Sequence, residues 1–379
     1  MATFKRATGH AANDTIHDDV VFRDAVYRSI VGEMMGKKGS GAPIIVDFEM
    51  QGVATDTKKV HVVPFVDANP ISGQDSVLEG NESAITEAIF SVTIDEENWP
   101  FAKNGRMTDQ RSRLNWSNEA KMQIGNLAMQ YNNDEAFRQL SGMTKHNLTD
   151  AQTPGTNRVN GANRCFQCTG KSGVSVATAD NSDAESLDGN MSTTDVFNLD
   201  AIEQTVAHVE TKRDNDYRLN PMGPGRDDSE MFHLWIDPLQ AISLRKDPRW
   251  QNEALSLIES GVDSKFKDGY IGMWNNVIVR KTNRIQRFNV TGTDTYARAL
   301  LLGRDALFMA WAQTLAFADN ESDYGRKKGM AGYEIRGAAK VSMSIDPAAD
   351  PEGGGAAGSA TASQDLGVAQ IVSAVNALT

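Results

Sequence analysis

The sequence predicts a mixed α+β chain, and three patterns carry that prediction. Apolar residues alternate with period two between Pro43 and Pro100, and again from Ala339 to Ile345. They step by threes and fours from Trp116 to Tyr131, the spacing of one helix face. From Leu199 to Leu315 helical and strand-like runs take turns, as in a mixed α/β domain.

Near the start, Phe22, Val26, Ile30 and Met34 recur every fourth residue behind His17-Asp18-Asp19, and Gly36 to Gly41 breaks the run. Residues 1–40 therefore read as an arm with one narrow apolar stripe. A helix this short is marginal alone and needs a partner surface, on its own domain or on a neighbouring subunit. Phe22, Val26 and Ile30 are the candidates for that contact.

Next, Ile44, Val46, Phe48 and Met50 alternate with Ile45, Asp47 and Glu49. Val60 and Val62 continue the pattern, as do Phe90, Val92 and Ile94. Between them Gly73 to Ser83 is polar except for Val77 and Leu78. Residues 41–110 thus read as a long antiparallel hairpin with a solvated tip, and Pro64 argues for an edge position. A hairpin alone in water buries too little to persist, so this one is expected to lie on something else.

Trp116, Ala120, Ile124, Leu127 and Tyr131 share one helix face. Asn132-Asn133-Asp134 reads as an interruption, with Asp134 capping a shorter helix that carries Phe137 and Leu140 and stops at Gly142. Residues 144–195 are rich in Asn, Thr, Ser, Gly and Asp and form a long polar insertion. Inside it stand the chain's two cysteines, Cys165 and Cys168. A lone Cys-x-x-Cys can be half a zinc site or a redox pair. No second pair follows, and His146 and His208 lie at no ligand spacing, so the reading is two incidental thiols in a reducing compartment.

Leu199, Ile202, Val206 and Val209 mark a helix, and Met231 to Ile236 a strand covered on both faces. Asp237-Pro238 and Asp247-Pro248 read as helix starts: Asp accepts from orphan amides at the N-cap, and Pro needs no donor at the first helical position. Trp250, Ala254, Leu257 and Ile258 give the second of these helices its face. Tyr270 to Val279 and Arg298 to Leu302 read as strands, and Asp305 to Leu315 as a helix with Leu307, Trp311 and Leu315 in line. A polar loop after Asp319 precedes a half-buried strand, Ala339 to Ile345. Asp346 to Gln364 is Pro-, Gly-, Ala- and Ser-rich and reads as a flexible linker. Val368, Ile371, Val372, Val375 and Leu378 close the chain with a small apolar face that frays or docks on a neighbour; Ile371 and Val375 are its interface candidates.

Charge and motif content exclude several functions. The net charge of −12 argues against a molecule that binds nucleic acid over its whole surface. Basic residues cluster only at Arg280, Lys281, Arg284 and Arg287 and at Arg326, Lys327 and Lys328, to face DNA, pair with an adjoining subunit or stay solvated. Gly36 to Gly41 lacks the Gly-Lys-Ser/Thr ending of a phosphate loop. His17-Asp18-Asp19 has no second His-Asp set, and the six histidines never take His-Glu-x-x-His spacing. His233, inside an apolar strand, reads as a core histidine. No catalytic residue, metal site or cofactor is assigned. No apolar run approaches the roughly 18 residues of a membrane span, and no secretory signal opens the chain, so a soluble cytoplasmic protein is expected.

The ordered segments Met231–Pro238, Lys246–Trp250, Gly272–Val279, Arg298–Leu307 and Ala310–Gln313, with a weaker match at Leu78-Glu79-Gly80-Asn81-Glu82, carry a resemblance. Together they resemble the major capsid proteins of tailed bacteriophages, specifically the family of the N-four-like phages. The resemblance implies the HK-ninety-seven capsid fold. Its parts would be an N-terminal arm (1–40), an extended β-hairpin loop (41–110) and a peripheral domain with a long spine helix (111–200). An axial α/β domain (201–318), return strands to the peripheral domain (319–345) and the linker and tail (346–379) would complete it. In that fold the extended loop reaches over an adjacent subunit, which makes Val77, Leu78, Glu79, Asn81 and Glu82 interface candidates. The implied function is self-assembly into hexamers and pentamers of an icosahedral shell around double-stranded DNA, in the virion, with assembly in the host bacterial cytoplasm. Portal, scaffolding and decoration proteins are the further partners implied, with packaged DNA touched non-specifically and no membrane. Two alternatives stay open: a structural or decoration protein that binds a preformed shell, and a metal-dependent hydrolase using the cysteine pair or His17.

Overall fold

The computed structural model describes residues 29–52, 55–62, 72, 88–105, 115–141, 164–168, 174–176, 194–211, 219–222, 231–251, 270–285, 287–289, 295–324, 326–345 and 362–375. A short 3-10 turn, Val31–Met34, leads into β1 (Met35–Gly36), β2 (Ile44–Asp47), β3 (Thr57–Val62), β4 (Ala88–Thr93) and β5 (Asp95–Asn104). Helix α1 (Trp116–Ser141) follows, then β6 (Cys165–Cys168), β7 (Val174–Val176), α2 (Leu199–Thr211), β8 (Phe232–Ile236) and α3 (Pro238–Arg245). The remaining strands are β9 (Tyr270–Trp274), β10 (Val277–Lys281), β11 (Arg287–Asn289), β12 (Thr295–Leu302), β13 (Leu307–Ser322), β14 (Lys327–Lys340), β15 (Ser342–Ile345), β16 (Ala362–Asp365) and β17 (Val368–Ala374).

An eight-stranded sheet runs β7-β6-β17-β12-β8-β10-β9, with β11 paired to β12. Both faces of its centre are apolar. Phe232, Leu234, Ala299, Leu301, Ala369 and Ile371 meet Leu199, Ile202 and Val206 of α2 and Ala241 and Leu244 of α3 on one face. Trp235, Leu300, Leu302 and Val368 point the other way, into a core shared with Phe137 and Leu140 of α1. The predicted cap at Asp237 forms in full. Its carboxylate accepts from Leu239 N at 2.8 Å, and Gln240 Oε1 accepts from Asp237 N at 2.9 Å, a capping box with Pro238 in the first turn. Asn275 and Asn276, with φ of 44° and 62°, make the two-residue turn between β9 and β10, the backbone twist that tight hairpins require.

A five-stranded sheet, β1-β2-β13-β14-β5, forms the second layer. Helix α1 rests on it through Ala120 and Ile124, which pack with Met330, Leu315, Trp99 and Phe101. The approach is close because β14 offers a glycine: a Cβ on Gly332 would lie 2.2 Å from Ile124 Cγ2. Strands β3 and β4 pair antiparallel, Val60 opposite Phe90 and His61 opposite Ile89.

Several expectations are overturned. Asp305 to Leu315 is no helix: Leu307 begins a 16-residue strand whose first five residues are all buried. A step of four returns to the same face in a strand as well as a helix, so Leu307, Trp311 and Leu315 could not tell the two apart. Residues 307–318 consequently join the five-stranded sheet, not the α/β layer, and the expected loop after Asp319 is the outer part of the β13–β14 hairpin. Ile44 to Asp47 lies parallel to β13 and belongs to that sheet, not to the expected hairpin. Helix α1 is unbroken over 26 residues, because Asn133 and Asp134 bond to other elements and do not compete for their own backbone. Leu127 is exposed, and Ala128 takes the packing position assigned to it. Residues 165–168, expected in a polar loop, form a fully buried strand. The tail forms a strand too: β17 lies between β6 and β12 with every residue buried. Ile371 and Val375 are therefore covered by their own chain and are not available to a neighbour.

Candidate assembly surfaces

The first described residues, from Ser29 to Met34, are fixed to the body. Val31 and Met34 are buried among Ala136, Phe137, Leu140, Trp235 and Leu307, and Ile30 packs against the same cluster. Ile30 is half-buried on its own chain, the first of the two partner surfaces expected for the stripe; Phe22 and Val26 lie outside the described residues. Polar contacts fix the segment's orientation. Asn133 Oδ1 accepts from Val31 N and from Ser29 Oγ, both at 3.2 Å, and Trp235 Nε1 donates to Met34 Sδ at 3.0 Å. Glu33 pairs with Arg280, whose guanidinium lies 5.6 Å from the Trp235 ring centre.

That pairing decides the first basic cluster. Arg280 answers Glu33, Arg284 is buried against Asp134 of α1, and Arg287 grips Asp237 with two bonds of 2.8 and 3.1 Å. These three arginines, read as DNA-facing or intersubunit, instead hold the turn, α1 and the cap of α3 to the eight-stranded sheet. A sequence cannot separate the two uses, since the carboxylates that claim each arginine lie far away along the chain. Lys281 and Arg287 are the exposed members of the four, and of these Lys281 carries no such pair.

The second basic cluster differs. Strands β13 and β14 stay paired out to Ser322 opposite Lys327, and β5 accompanies β14 as far as Asn104. From Phe317 to Tyr324 and from Arg326 to Lys328, each described residue is exposed. Acids mark the end of the outgoing strand and the turn, at Asp319, Glu321 and Asp323, and bases the turn and the start of the return, at Arg326, Lys327 and Lys328. Lys328 meets Glu321 at 3.0 Å, but both are more than half exposed, so the pair adds little to stability. Tyr324 is 100% exposed at the turn with a φ of 53°, next to Asp323 at 56°. A tyrosine with nothing beneath it, on left-handed backbone, is a feature that packing within one subunit does not explain.

Strands β3 and β4 are held to the body by contacts of both kinds, polar and apolar. Lys58 of β3 bonds Glu49 at 2.8 Å and also contacts Asp47, fixing β3 to the turn after β2. Phe90 and Val92 of β4 pack with Phe308 and Val341. Val77, Leu78, Glu79, Asn81 and Glu82 lie outside the described residues.

The cysteines point apart. Positions three apart on a strand face opposite sides, and Cys168 joins the core under α2 whereas Cys165 joins the core under α1. They cannot share an ion. Burial pushes the Cys168 thiol far above its ordinary range, and Cys165 Sγ accepts from Gln370 Nε2 at 3.0 Å. Among the described residues no group of three His, Cys, Asp or Glu side chains is placed to hold a metal. No helix there is long and apolar enough to cross a membrane.

Comparison with known proteins matches this architecture. The major capsid protein of Pseudomonas phage KPP25 is 26% identical over 285 residues, 69% of this chain and 72% of its own length. The capsid of Ralstonia phage GP4 aligns over 100% of both chains with a TM-score of 0.75 at 18% identity. The capsid asymmetric unit of cyanophage Pam1 aligns over 99% of each with a TM-score of 0.74 at 17% identity. At such identities the likeness is one of fold, that of the tailed-phage capsid, the HK-ninety-seven fold. A sequence profile described as phage capsid protein matches residues 15–377, and the chain belongs to that phage capsid protein family.

Proposed function

We propose that this chain is a major capsid protein whose copies assemble into hexamers and pentamers of an icosahedral shell enclosing double-stranded phage DNA. The observation that carries the reading is the family match along residues 15–377, on a fold that aligns with capsid subunits from end to end. On this reading the five-stranded sheet with α1 is the peripheral domain, with α1 its spine helix. The eight-stranded sheet with α2 and α3 is the axial domain.

The work of such a protein is burial of surface between copies, and many modest contacts multiplied by closure of the shell give it strength. The exposed hairpin end at Asp319–Lys328 is one contact: its acidic side and basic side suit a head-to-tail meeting of copies around an axis. Lys281 and the part of Arg326, Lys327 and Lys328 left free by that meeting are candidates to face DNA. The segment carrying Val77, Leu78, Glu79, Asn81 and Glu82 reaches over a neighbour, and Phe22 and Val26 of the arm dock on one. Portal, scaffolding and decoration proteins are the further partners, assembly takes place in the host cytoplasm, and no catalytic step is assigned.

Electron microscopy of the purified recombinant protein tests the reading. Closed shells or capsomer rings are expected. A protein that stays monomeric at high concentration, or that only coats shells made by another protein, would overturn it.

A further inference from the structure

Arg336 sits on β14 with 4% of its surface exposed. Its Nε donates to Glu334 Oε1 at 2.7 Å, and its guanidinium lies 4.9 Å from the centre of the Tyr131 ring on α1. Both Nη atoms are buried and reach no acceptor. A guanidinium never gives up its charge or its donors, so these N–H groups need a partner. One residue along α1 from Tyr131, Asn132 Oδ1 is likewise buried with no donor. Its direction is settled by chemistry: the Asn132 side chain bonds the Glu334 carboxylate, which accepts from the amide nitrogen and would repel the oxygen.

Unmet donors and an unmet acceptor therefore face the same helix–sheet seam. Native interiors rarely leave such groups bare, and the usual remedy is an ordered water, which accepts and donates at once. An anion could satisfy the arginine alone but would leave Asn132 Oδ1 unmet. It would also sit beside Glu334 and Glu97, whose Oε1 accepts from Tyr131 Oη at 2.7 Å. Water is the one occupant that suits all of them.

We propose that the seam between α1 and β14 contains a built-in water site, in which the water accepts from Arg336 and donates to Asn132. The helix is then joined to its sheet at this point partly through an exchangeable molecule. A water-mediated contact tolerates small shifts that a direct ion pair would resist.

A structure of the shell or of a crystal, at a resolution that shows ordered waters, tests this in the wild-type chain. The expected result is a peak within hydrogen-bond distance of an Arg336 Nη atom and of Asn132 Oδ1. A closed seam with no peak, or Arg336 swung onto a carboxylate, would overturn the site. So would a bromide signal at the same point after exchange of the buffer anion. In Arg336→Met the peak should vanish, and its persistence would show that the arginine does not hold it. If that variant does not fold, the wild-type density alone decides.

Discussion

Asn133 Oδ1 accepts a hydrogen bond from Val31 N at 3.2 Å, a contact between residues 102 apart in the chain. It ties the start of the described chain to the middle of α1, inside a core where no water competes. Asn133→Leu removes the acceptor and leaves the Val31 amide buried and unmet. A loss of about 1–3 kcal/mol is expected from urea denaturation of the unassembled subunit. The segment from Ser29 to Met34 should also become the first site of proteolytic nicking, and an unchanged midpoint and digestion pattern would contradict this account.

At Gly332 α1 lies close against the sheet, since any side chain there meets Ile124 Cγ2. Gly332→Ala should cost roughly 1–3 kcal/mol by overpacking. Ile124→Ala alone should also destabilise, by opening a gap. The double variant Gly332→Ala/Ile124→Ala should be more stable than the sum of the two predicts, because the new methyl fills part of that gap. Strict additivity in thermal melts would mean that the two residues do not touch.

His233 gives the subunit a defined response to acid. Burial, with help from Arg280, holds it down at about 4, while Glu33 pulls the other way. In the unfolded chain it titrates near ~6.5. Between these values the unfolded chain binds the proton and the folded chain does not, so stability is full above ~6.5 and falls as pH drops toward about 4. The loss from this one group reaches about 3 kcal/mol. His233→Leu should flatten the dependence of the urea midpoint on pH across that window. A slope that survives the substitution would assign it to other groups.

How much of this was legible in the sequence follows from the range of the forces involved. The cap at Asp237 is local and is written within a few neighbouring residues; the turn at Asn275-Asn276 is equally local, yet Tyr270 to Val279 reads as one strand where the structure has a hairpin. Long-range contacts are not written in this way. Asn132-Asn133-Asp134 reads as a helix break until Val31, Arg284 and Glu334 are brought to it. Leu307 to Trp311 reads as a helix face until a sheet covers both sides. The tail reads as a loose end because a central strand can be supplied by residues far from its neighbours in the chain, and Val368 to Ala374 pairs with residues 296–302 and 165–167. Of the assembly surface, the basic residues 326–328 were visible as a cluster. Their place on the exposed end of a hairpin, opposite a run of acids, was not.

Lys340 and Asp365 pair at 2.7 Å with 6% and 0% of their side chains exposed, joining the end of β14 to β16. Asp365→Leu strands a lysine where burial already disfavours its charge. A loss of about 3–5 kcal/mol is expected. Replacing both, Lys340→Met with Asp365→Leu, should recover most of it, since apolar residues of similar volume need no partner. Calorimetry on the three variants checks this. A double variant as unstable as the single one would mean that the loss comes from the missing carboxylate itself and not from the stranded lysine.

The outer end of β13 and β14 is where stability and assembly should separate. Reversing Arg326, Lys327 and Lys328 to Glu touches only exposed residues whose in-chain pairs are weak, so the melting of the isolated subunit should move by no more than about 0.5 kcal/mol. Head-to-tail contact between copies would instead bring six like charges together and block shell closure. Reversing Asp319, Glu321 and Asp323 to Lys in the same chain restores complementarity and should restore shells, with the polarity of the meeting inverted. Because these charges are exposed, wild-type assembly should also weaken as salt shortens their reach to below about 8 Å. Light scattering and electron microscopy of the wild type and both variants follow each step. If the basic-to-acidic variant forms normal shells that hold less DNA, the three bases face the genome and not a neighbouring subunit.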